Sequence, residues 1–316
     1  MKYIKFGSAA VVFAALLWSL DGLLRRNLYD LPAPVIVFYE TLFGFLVLLP
    51  FIAYSYKAFA KLTEKQWQAI IGVSFLSGAV GTIFYTAALT KIQFIPFSVV
   101  VLLQQLQPIF AIAAAGLLLK EPISRKFLGL AALALVAAYF VSFPDLTVNL
   151  STGDGTLMAA LFAIGAAAAW GTSTAFSKYA LKGTSPLHVG ALRFGFTPIF
   201  ALVFVLFSGN TESLGAVTAE QFKYIVAITF STGLMALLIY YFGLKRIPAS
   251  RSTLLELTWP LSAVIIGYLF LNETLVATQA LGSVTLLAII FVIAKDANKL
   301  ALAKADSKPK KTKALS

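Results

Sequence analysis

The chain has 316 residues, of which 59% are hydrophobic and 12% are charged, and its mean hydropathy is +0.88. A soluble domain carries about 25% charged residues, so this composition excludes a soluble protein and indicates an integral membrane protein. The sequence has no cysteine and a single histidine, His188, which excludes thiolate catalysis and leaves no histidine cluster for a metal. We therefore expect neither a metal nor a cofactor.

Ten apolar segments are long enough to cross a bilayer, at about 20 residues for each crossing. The opening MKYIKFGSAAVVFAALLW resembles a signal peptide, but it continues directly into Asp21 and Arg25 without a convincing cleavage site, so we predict a first span there. The stretch from Ala297 to Ser316 is rich in lysine and is predicted to be a disordered cytoplasmic tail. The predicted spans are 6–24, 33–56, 67–90, 97–119, 127–143, 155–178, 187–208, 222–244, 251–271 and 276–294.

The basic residues follow the loops between these spans. With the amino terminus inside, twenty lysines and arginines fall on the cytoplasmic side, and Arg25, Arg26, Lys91 and Lys223 fall on the other. This bias predicts a multi-pass protein of the cell inner membrane with both termini in the cytoplasm. It also explains the net charge of +12 without a nucleic-acid partner. The expected partners are the lipid bilayer and a small-molecule substrate, and the chain is either a monomer or a homodimer.

The sequence repeats itself at an offset of about 152 residues. Each half, 1–146 and 147–296, contains five predicted spans, an odd number, so the halves must enter the membrane from opposite sides. Inverted repeats of this kind are typical of secondary transporters, whose site lies near the membrane midplane. The predicted fold class is an all-α membrane protein with ten transmembrane helices in two inverted five-helix repeats. The offset places Trp18 on Trp170, Pro34 on Pro186, Pro96 on Pro248, Gln104 on Glu256, Pro108 on Pro260, and Glu121 on Glu273.

The fourth predicted span of each half carries a proline near its middle. Pro108 and Pro260 cannot donate a backbone hydrogen bond to the residue four positions earlier, which frees the carbonyls of Gln104 and Glu256. Non-helical backbone is tolerated at membrane depth only against protein or a water-filled cavity. We therefore expect these helix breaks to line a substrate site. Each span ends at a glutamate, Glu121 in the first half, which is predicted to cap a helix.

Ionisable residues at membrane depth are candidates for function. Glu256 and Arg193 lie five or six residues inside their spans from the same side, so they either form a structural ion pair or bind substrate and protons. Glu40 enters from the opposite side, near Asp21 and Arg25. It either forms a salt bridge with an arginine or, if unpaired, acts as a proton-coupling carboxyl. The predicted proton-coupling residues are Asp21, Glu40 and Glu256.

Amides and aromatic rings complete the candidate site. Gln104 and Gln107 share a helix face, where they either bind an uncharged polar ligand or join helices by hydrogen bonds. Trp18 and Trp170 lie within their spans, where they either pack or offer a ring face to a flat or cationic substrate. The tyrosines carry the same two alternatives. The predicted substrate-binding residues are Trp18, Glu40, Tyr85, Gln104, Gln107, Trp170, Arg193, Tyr240, Glu256 and Trp259.

The chain resembles the EamA-type drug/metabolite transporter superfamily over nearly its whole length. The resemblance rests on a tryptophan in the first span of each half, a proline before each second span, and the paired stretches from proline to glutamate at 108–121 and 260–273. It implies ten helices, two inverted repeats, and transport of small metabolites, often amino acids, through a cavity lined by the first four helices of each half. The family commonly carries an arginine early in the second helix of each repeat. Here only Arg193 matches, and Glu40 stands near the other place.

These observations predict a secondary active transporter of a small polar organic metabolite, working by alternating access. The sequence contains no G-x-x-x-x-G-K-[ST] motif for ATP. Three acidic residues against one arginine at membrane depth favour cations, zwitterions or protons. Amino acids, moved by efflux or exchange, are the first substrate class, and nucleobase or choline-like metabolites are the alternative. A membrane enzyme acting on lipid-linked substrates would need a paired acid and base or a metal centre, and a passive channel is the third interpretation.

Overall fold

The computed structural model describes residues 6–90, 103–142, 156–262 and 276–306, and all regular elements in these ranges are helices. The first half contains α1 (Gly7–Trp18), α2 (Asp21–Arg25), α3 (Ala33–Tyr54), α4 (Tyr56–Phe59), α5 (Glu64–Val73), α6 (Thr82–Leu89), α7 (Gln107–Leu119) and α8 (Arg125–Ser142). The second half contains α9 (Thr156–Ala180), α10 (Pro186–Phe207), α11 (Ala219–Ile228), α12 (Leu234–Leu244), α13 (Ala249–Leu255) and α14 (Ala277–Asp306).

Seven helical stretches among the described residues are long and apolar enough to cross a membrane, and they coincide with seven of the predicted spans. The other three predicted spans, 97–119, 127–143 and 251–271, extend beyond the described residues, and α7, α8 and α13 lie in or overlap their described parts. The protein is therefore a helical membrane protein, and the count of ten stays a prediction. The seven stretches are Gly7–Leu28, Ala33–Tyr54, Glu64–Leu89, Met158–Ala180, Pro186–Phe207, Ala219–Leu244 and Ala277–Leu300.

Helix α14 corrects the prediction of a disordered tail. It runs from Ala277 to Asp306, so residues 297–306 are helical. Alanine, leucine and lysine dominate this stretch and are strong helix formers, which explains why a lysine-rich segment continues the helix. Residues 307–316 lie outside the described ranges.

The helices of the two halves pack against one another. Helix α3 packs along α10 and α8 packs along α14, and the members of each pair are equivalent under the sequence offset. Helix α1 packs on α12 just as α9 packs on α6. Exchanging the two halves therefore reproduces the same contacts, which is the pattern that two repeats related by a twofold axis produce. The interior lies along these contacts between the halves.

The third span of each half contains a π-helical stretch. A threonine capping box starts each span, at Thr63 in the first half and at Thr218 in the second. The π-helical stretches follow at Ser74–Gly81, with eight residues, and Thr229–Gly233, with five. Three more residues separate Thr63 from Gly81 in the first half than separate Thr218 from Gly233 in the second. The longer π-helical stretch of the first half accommodates them, because a π-helix has wider turns than an α-helix. Both stretches face the space between the halves.

Candidate substrate-binding cavity

A cavity of about 210 Å³ lies between the two halves. All ten predicted substrate-binding residues line it, together with Asp21 and the two prolines of the predicted helix breaks, Pro108 and Pro260. The cavity thus brings into one place residues that are as far apart in the chain as Trp18 and Pro260. The sequence reasoning did not select several small hydroxyl residues of the wall, namely Ser77, Thr82, Thr197, Thr232 and Thr253.

The two helices with central prolines are interrupted beside this cavity. A turn at 105–106 precedes α7, and a turn at 256–257 follows α13. The backbone amide of Trp259 donates a hydrogen bond to the carbonyl of Glu256, three residues earlier, at 2.9 Å. This contact corrects the prediction that Pro260 leaves the carbonyl of Glu256 free. The turn satisfies the backbone, so the polar feature that remains at this break is the Glu256 side chain.

Glu256 and Arg193 do not form the ion pair that their depths allowed. Oε2 of Glu256 accepts a hydrogen bond from Nε2 of Gln107 at 2.8 Å. Arg193 donates instead to the Tyr241 hydroxyl at 3.0 Å and to the Ser77 hydroxyl at 2.8 Å. Throughout the part of the chain that the structure describes, no carboxylate lies within ion-pair distance of Arg193. Similar depth in two helices therefore did not bring the two charges together.

In the described ranges, three polar atoms on the cavity wall are buried without a hydrogen-bond partner, namely Nε2 of Gln104, Oγ1 of Thr253 and Oε1 of Glu256. Gln104 is 6% exposed and Thr253 is 1% exposed. A buried polar atom without a partner costs about 1–3 kcal/mol. A bound molecule that supplies the missing hydrogen bonds would recover this free energy, which makes these atoms candidates for ligand recognition.

Glu40 forms a buried salt bridge with Arg25. Nη2 of Arg25 lies 3.0 Å from Oε2 of Glu40, and its Nε lies 2.8 Å from Oδ2 of Asp21. Thr232 of the other half donates to Oδ1 of Asp21 at 2.7 Å. Arg25 is only 2% exposed, so it is an interior residue and not the loop residue that the charge count assumed. Asp21 and Glu40 thus share a cationic partner, whereas Glu256 has none among the described residues.

The two equivalent tryptophans reach across to the opposite half. Nε1 of Trp18 donates to the carbonyl of Thr232 at 3.0 Å, and Nε1 of Trp170 donates to the carbonyl of Ser77 at 3.1 Å. Both carbonyls belong to the π-helical stretches. The indoles therefore hold the halves together while their rings line the cavity. Each ring centroid also lies 5.2 Å from that of a tyrosine in the opposite half, Tyr240 for Trp18 and Tyr85 for Trp170.

Glu121 caps a helix of the other half. Its Oε1 accepts from the amide of Ala249 at 2.7 Å, and its Oε2 accepts from the amide and the hydroxyl of Ser250 at 3.0 and 2.6 Å. These groups begin α13. The predicted capping role is confirmed, but the capped helix is not the next one in the chain. Glu273, the equivalent glutamate, lies outside the described residues.

Comparison with known families decides what kind of protein contains this cavity. The sequence model of the EamA-like transporter family matches the chain twice, at residues 5–143 and 157–295. The chain belongs to the EamA-like transporter family. It is therefore a transporter and not an enzyme. The double match covers most of the chain and agrees with the two halves described above.

Similar proteins are named as transporters. The chain is 34% identical over 297 residues to the protein named "Riboflavin transporter ImpX" of Fusobacterium nucleatum subsp. nucleatum, covering 92% of this chain and 97% of that protein. It is 24% identical to an uncharacterized transporter of Archaeoglobus fulgidus, with the same coverage of both chains. A solved crystal structure matches 96% of this chain and 99% of its own with a TM-score of 0.69 and 16% identity, a likeness that shows the fold alone.

Proposed function

We propose that this transporter carries a flat heteroaromatic metabolite across the membrane by alternating access, with riboflavin as the first candidate. The observation that carries the proposal is the cavity wall, where aromatic rings and unpaired hydrogen-bonding atoms surround one space. The name of the relative that is 34% identical over nearly its whole length supports the choice of riboflavin. This choice replaces the amino acids that were expected first from the sequence.

Aromatic side chains from both halves support a flat substrate. Trp18 and Tyr240 form one pair of rings on the wall, and Trp170 and Tyr85 form another. Trp259 adds a further ring beside the break in the ninth predicted span. Aromatic pairs contribute about 0.5–1.5 kcal/mol beyond the area that they bury. A planar ring system would use these surfaces, whereas an aliphatic amino acid would not.

The proposed topology keeps two repeats, 1–146 and 147–296, with both termini in the cytoplasm of a bacterial inner membrane. The gap between the two family matches, 144–156, supports a boundary near residue 146. Because Arg25 and Arg251 are both buried in the protein, the extracytoplasmic loops retain three basic residues against nineteen on the cytoplasmic side. This difference strengthens the charge bias that supports the orientation.

Amino acids are the second candidate, and one observation favours them. Arg193 has no carboxylate partner among the described residues, and the hydrogen-bond donor on Glu256 is the neutral amide of Gln107. A zwitterion could place its carboxylate on Arg193 and its ammonium group on Glu256, since charge-assisted hydrogen bonds are stronger than neutral ones. The same two groups would serve a riboflavin molecule only as polar contacts.

Counterflow in sealed proteoliposomes distinguishes these substrates. Vesicles loaded with unlabelled riboflavin should accumulate radiolabelled riboflavin transiently and saturably, and vesicles without protein should not. Counterflow of amino acids without counterflow of riboflavin would make amino acids the substrate and contradict the proposal. Uptake of riboflavin that saturates only at high concentration and shows no counterflow would instead indicate a channel.

Glu256 is the proposed proton-coupling group, because its carboxyl is the one in the described cavity wall that lacks a cationic partner. An imposed pH gradient should change the riboflavin uptake of the wild-type protein. The same gradient should leave the uptake of Glu256→Gln unchanged, since an amide does not titrate. Equal wild-type uptake with and without the gradient would contradict proton coupling.

A further inference from the structure

We infer that Gln104, Thr253 and Glu256 recognise the imide edge of a ring substrate, in which an N–H group stands between two carbonyl groups. The inference rests on the proposed function, because it specifies how a flat heteroaromatic metabolite is held. It starts from three buried atoms of the cavity wall that have no partner among the residues that the structure describes, Nε2 of Gln104, Oγ1 of Thr253 and Oε1 of Glu256.

The three residues come from the two interrupted helices. Thr253 and Glu256 are one helical turn apart at the end of α13, so they lie on the same helix face. Gln104 precedes the turn at 105–106 in the equivalent helix of the first half. Gln107, three residues later, donates to Oε2 of Glu256 at 2.8 Å. This hydrogen bond joins the two breaks and leaves Oε1 of Glu256 as the free carboxylate oxygen.

The free atoms form a chemically complementary set. The Gln104 amide nitrogen is a donor, an ionised Glu256 oxygen is an acceptor, and the Thr253 hydroxyl can donate. Two donors and one acceptor match the two carbonyl oxygens and the single N–H of an imide. The pyrimidinedione ring of a flavin carries this edge, and so does the uracil ring.

Other substrate classes leave part of the set unpaired. A quaternary ammonium group would interact with Glu256 but would give the donors of Gln104 and Thr253 no acceptor. An amino-acid ammonium group has the same limitation at this position. The imide edge satisfies all three atoms at once, and an unmet hydrogen bond at a buried site costs affinity. Gln104 and Glu256 occupy equivalent positions in the two repeats. The set therefore carries an amide group from one repeat and a carboxyl group from the other.

Methylation of the imide nitrogen tests the inference. Flavin fluorescence titrations of the purified protein would compare riboflavin with 3-methylriboflavin, in which a methyl group replaces the N–H hydrogen. The wild-type protein should bind riboflavin at least about tenfold more tightly. A flavin altered at its dimethylbenzene end serves as the matched control ligand, and it should bind the wild-type protein within about threefold of riboflavin.

Variants connect this discrimination to the named residues. In Glu256→Ala, the affinity ratio between riboflavin and 3-methylriboflavin should fall to about one, because the methyl group then blocks no hydrogen bond. Gln104→Ala removes a donor to an imide carbonyl, so it should weaken the binding of both flavins and keep the wild-type ratio. Gln68→Ala changes an exposed glutamine outside the cavity and should keep both the wild-type affinity and the wild-type ratio. The ratio is measured within each variant, so a general loss of affinity does not affect it. If Glu256→Ala fails to fold, Gln104→Ala decides the question, since an unchanged affinity for both flavins would overturn the inference.

The outcomes separate the inference from the proposed function. Equal binding of riboflavin and 3-methylriboflavin by the wild-type protein overturns the inference and leaves the proposed function standing. If neither flavin binds, thermal-shift titrations would compare 1-methyluracil with 1,3-dimethyluracil, which lacks the N–H. Stabilisation by 1-methyluracil alone would support the inference and contradict riboflavin as the substrate. Stabilisation by neither or by both equally would overturn the inference.

Discussion

The two halves of the protein use equivalent positions in two different ways. Trp18 and Trp170 occupy equivalent positions, and the indole N–H of each donates to a carbonyl in the π-helical stretch of the opposite half. Gln104 and Glu256 are also equivalent, but one carries an amide and the other a carboxyl group. Both pairs line the cavity. The like pair joins the halves by equivalent hydrogen bonds, whereas the unlike pair places an amide on one side and a carboxyl group on the other. Repetition thus builds the contact between the halves, and differences between the repeats give the cavity wall its unlike polar groups.

The buried charges follow the second pattern. Glu40 in the first half stands near the position that Arg193 occupies in the second. Glu40 is neutralised within its own half by Arg25, whereas Arg193 reaches the Ser77 hydroxyl of the first half. One end of the cavity wall is therefore a closed salt-bridge cluster, and the other presents a guanidinium group without a carboxylate partner in the described ranges.

The largest expected effect comes from breaking the salt-bridge cluster. Arg25→Met should lower the free energy of unfolding by about 3–5 kcal/mol, because it leaves the buried carboxylates of Asp21 and Glu40 without a cation. Arg26→Met removes the same charge from the exposed neighbouring residue and should change stability by less than about 0.5 kcal/mol. Thermal denaturation in detergent measures both variants. Equal midpoints for the two would show that the cluster does not stabilise the fold.

A smaller effect is expected at the glycines that end the π-helical stretches. A Cβ atom at Gly81 would lie 2.5 Å from Cδ1 of Trp170, whereas one at Gly233 would meet Oε1 of Glu40 at 3.2 Å. Gly81→Ala should therefore cost about 1–3 kcal/mol through overpacking, and Gly233→Ala should cost less. Denaturation midpoints of the two variants provide the measurement. A larger loss for Gly233→Ala would reverse the expected difference between the halves.

The smallest expected effect concerns the indole hydrogen bonds. Trp18→Phe and Trp170→Phe keep an aromatic ring but remove the donors to Thr232 and Ser77, and each should cost about 0.5–1.5 kcal/mol. Trp170→Phe should fall toward the lower limit, because the Thr82 hydroxyl still donates to the Ser77 carbonyl at 3.0 Å. Chemical denaturation curves compare the variants. Unchanged stability in both would mean that these bonds do not hold the halves together.

Sequence reasoning located the wall of the cavity because polar side chains and prolines are costly at membrane depth unless they line a cavity. Gln104 lies about 150 residues before Glu256 and Pro260 in the chain, and the structure places all three around one space. The hydrogen-bond partners of these residues could not be assigned from the sequence, because pairing depends on the distances between helices. The spacing of residues along the chain does not encode these distances. Glu256 therefore meets Gln107 instead of the expected Arg193.

Other features had weak signals in the sequence. Arg25 and Arg26 are adjacent, and their sequence context does not distinguish them. Arg25 is nevertheless buried, whereas Arg26 is exposed. Thr253 has a weak signal because a threonine in a helix commonly bonds to its own backbone, although its position one turn before Glu256 places it on the same face. The capping of α13 by Glu121 joins residues more than a hundred positions apart, which only the tertiary fold reveals.

The most direct test of the account measures riboflavin affinity and thermal stability together for Glu256→Ala and Glu121→Ala. Glu256→Ala removes a carboxylate of the cavity wall and should weaken riboflavin binding by at least about tenfold, with a nearly unchanged denaturation midpoint. Glu121→Ala removes the cap of α13 and should lower the midpoint while leaving riboflavin affinity unchanged. Wild-type affinity in Glu256→Ala, or a wild-type protein that binds no riboflavin, would contradict the account.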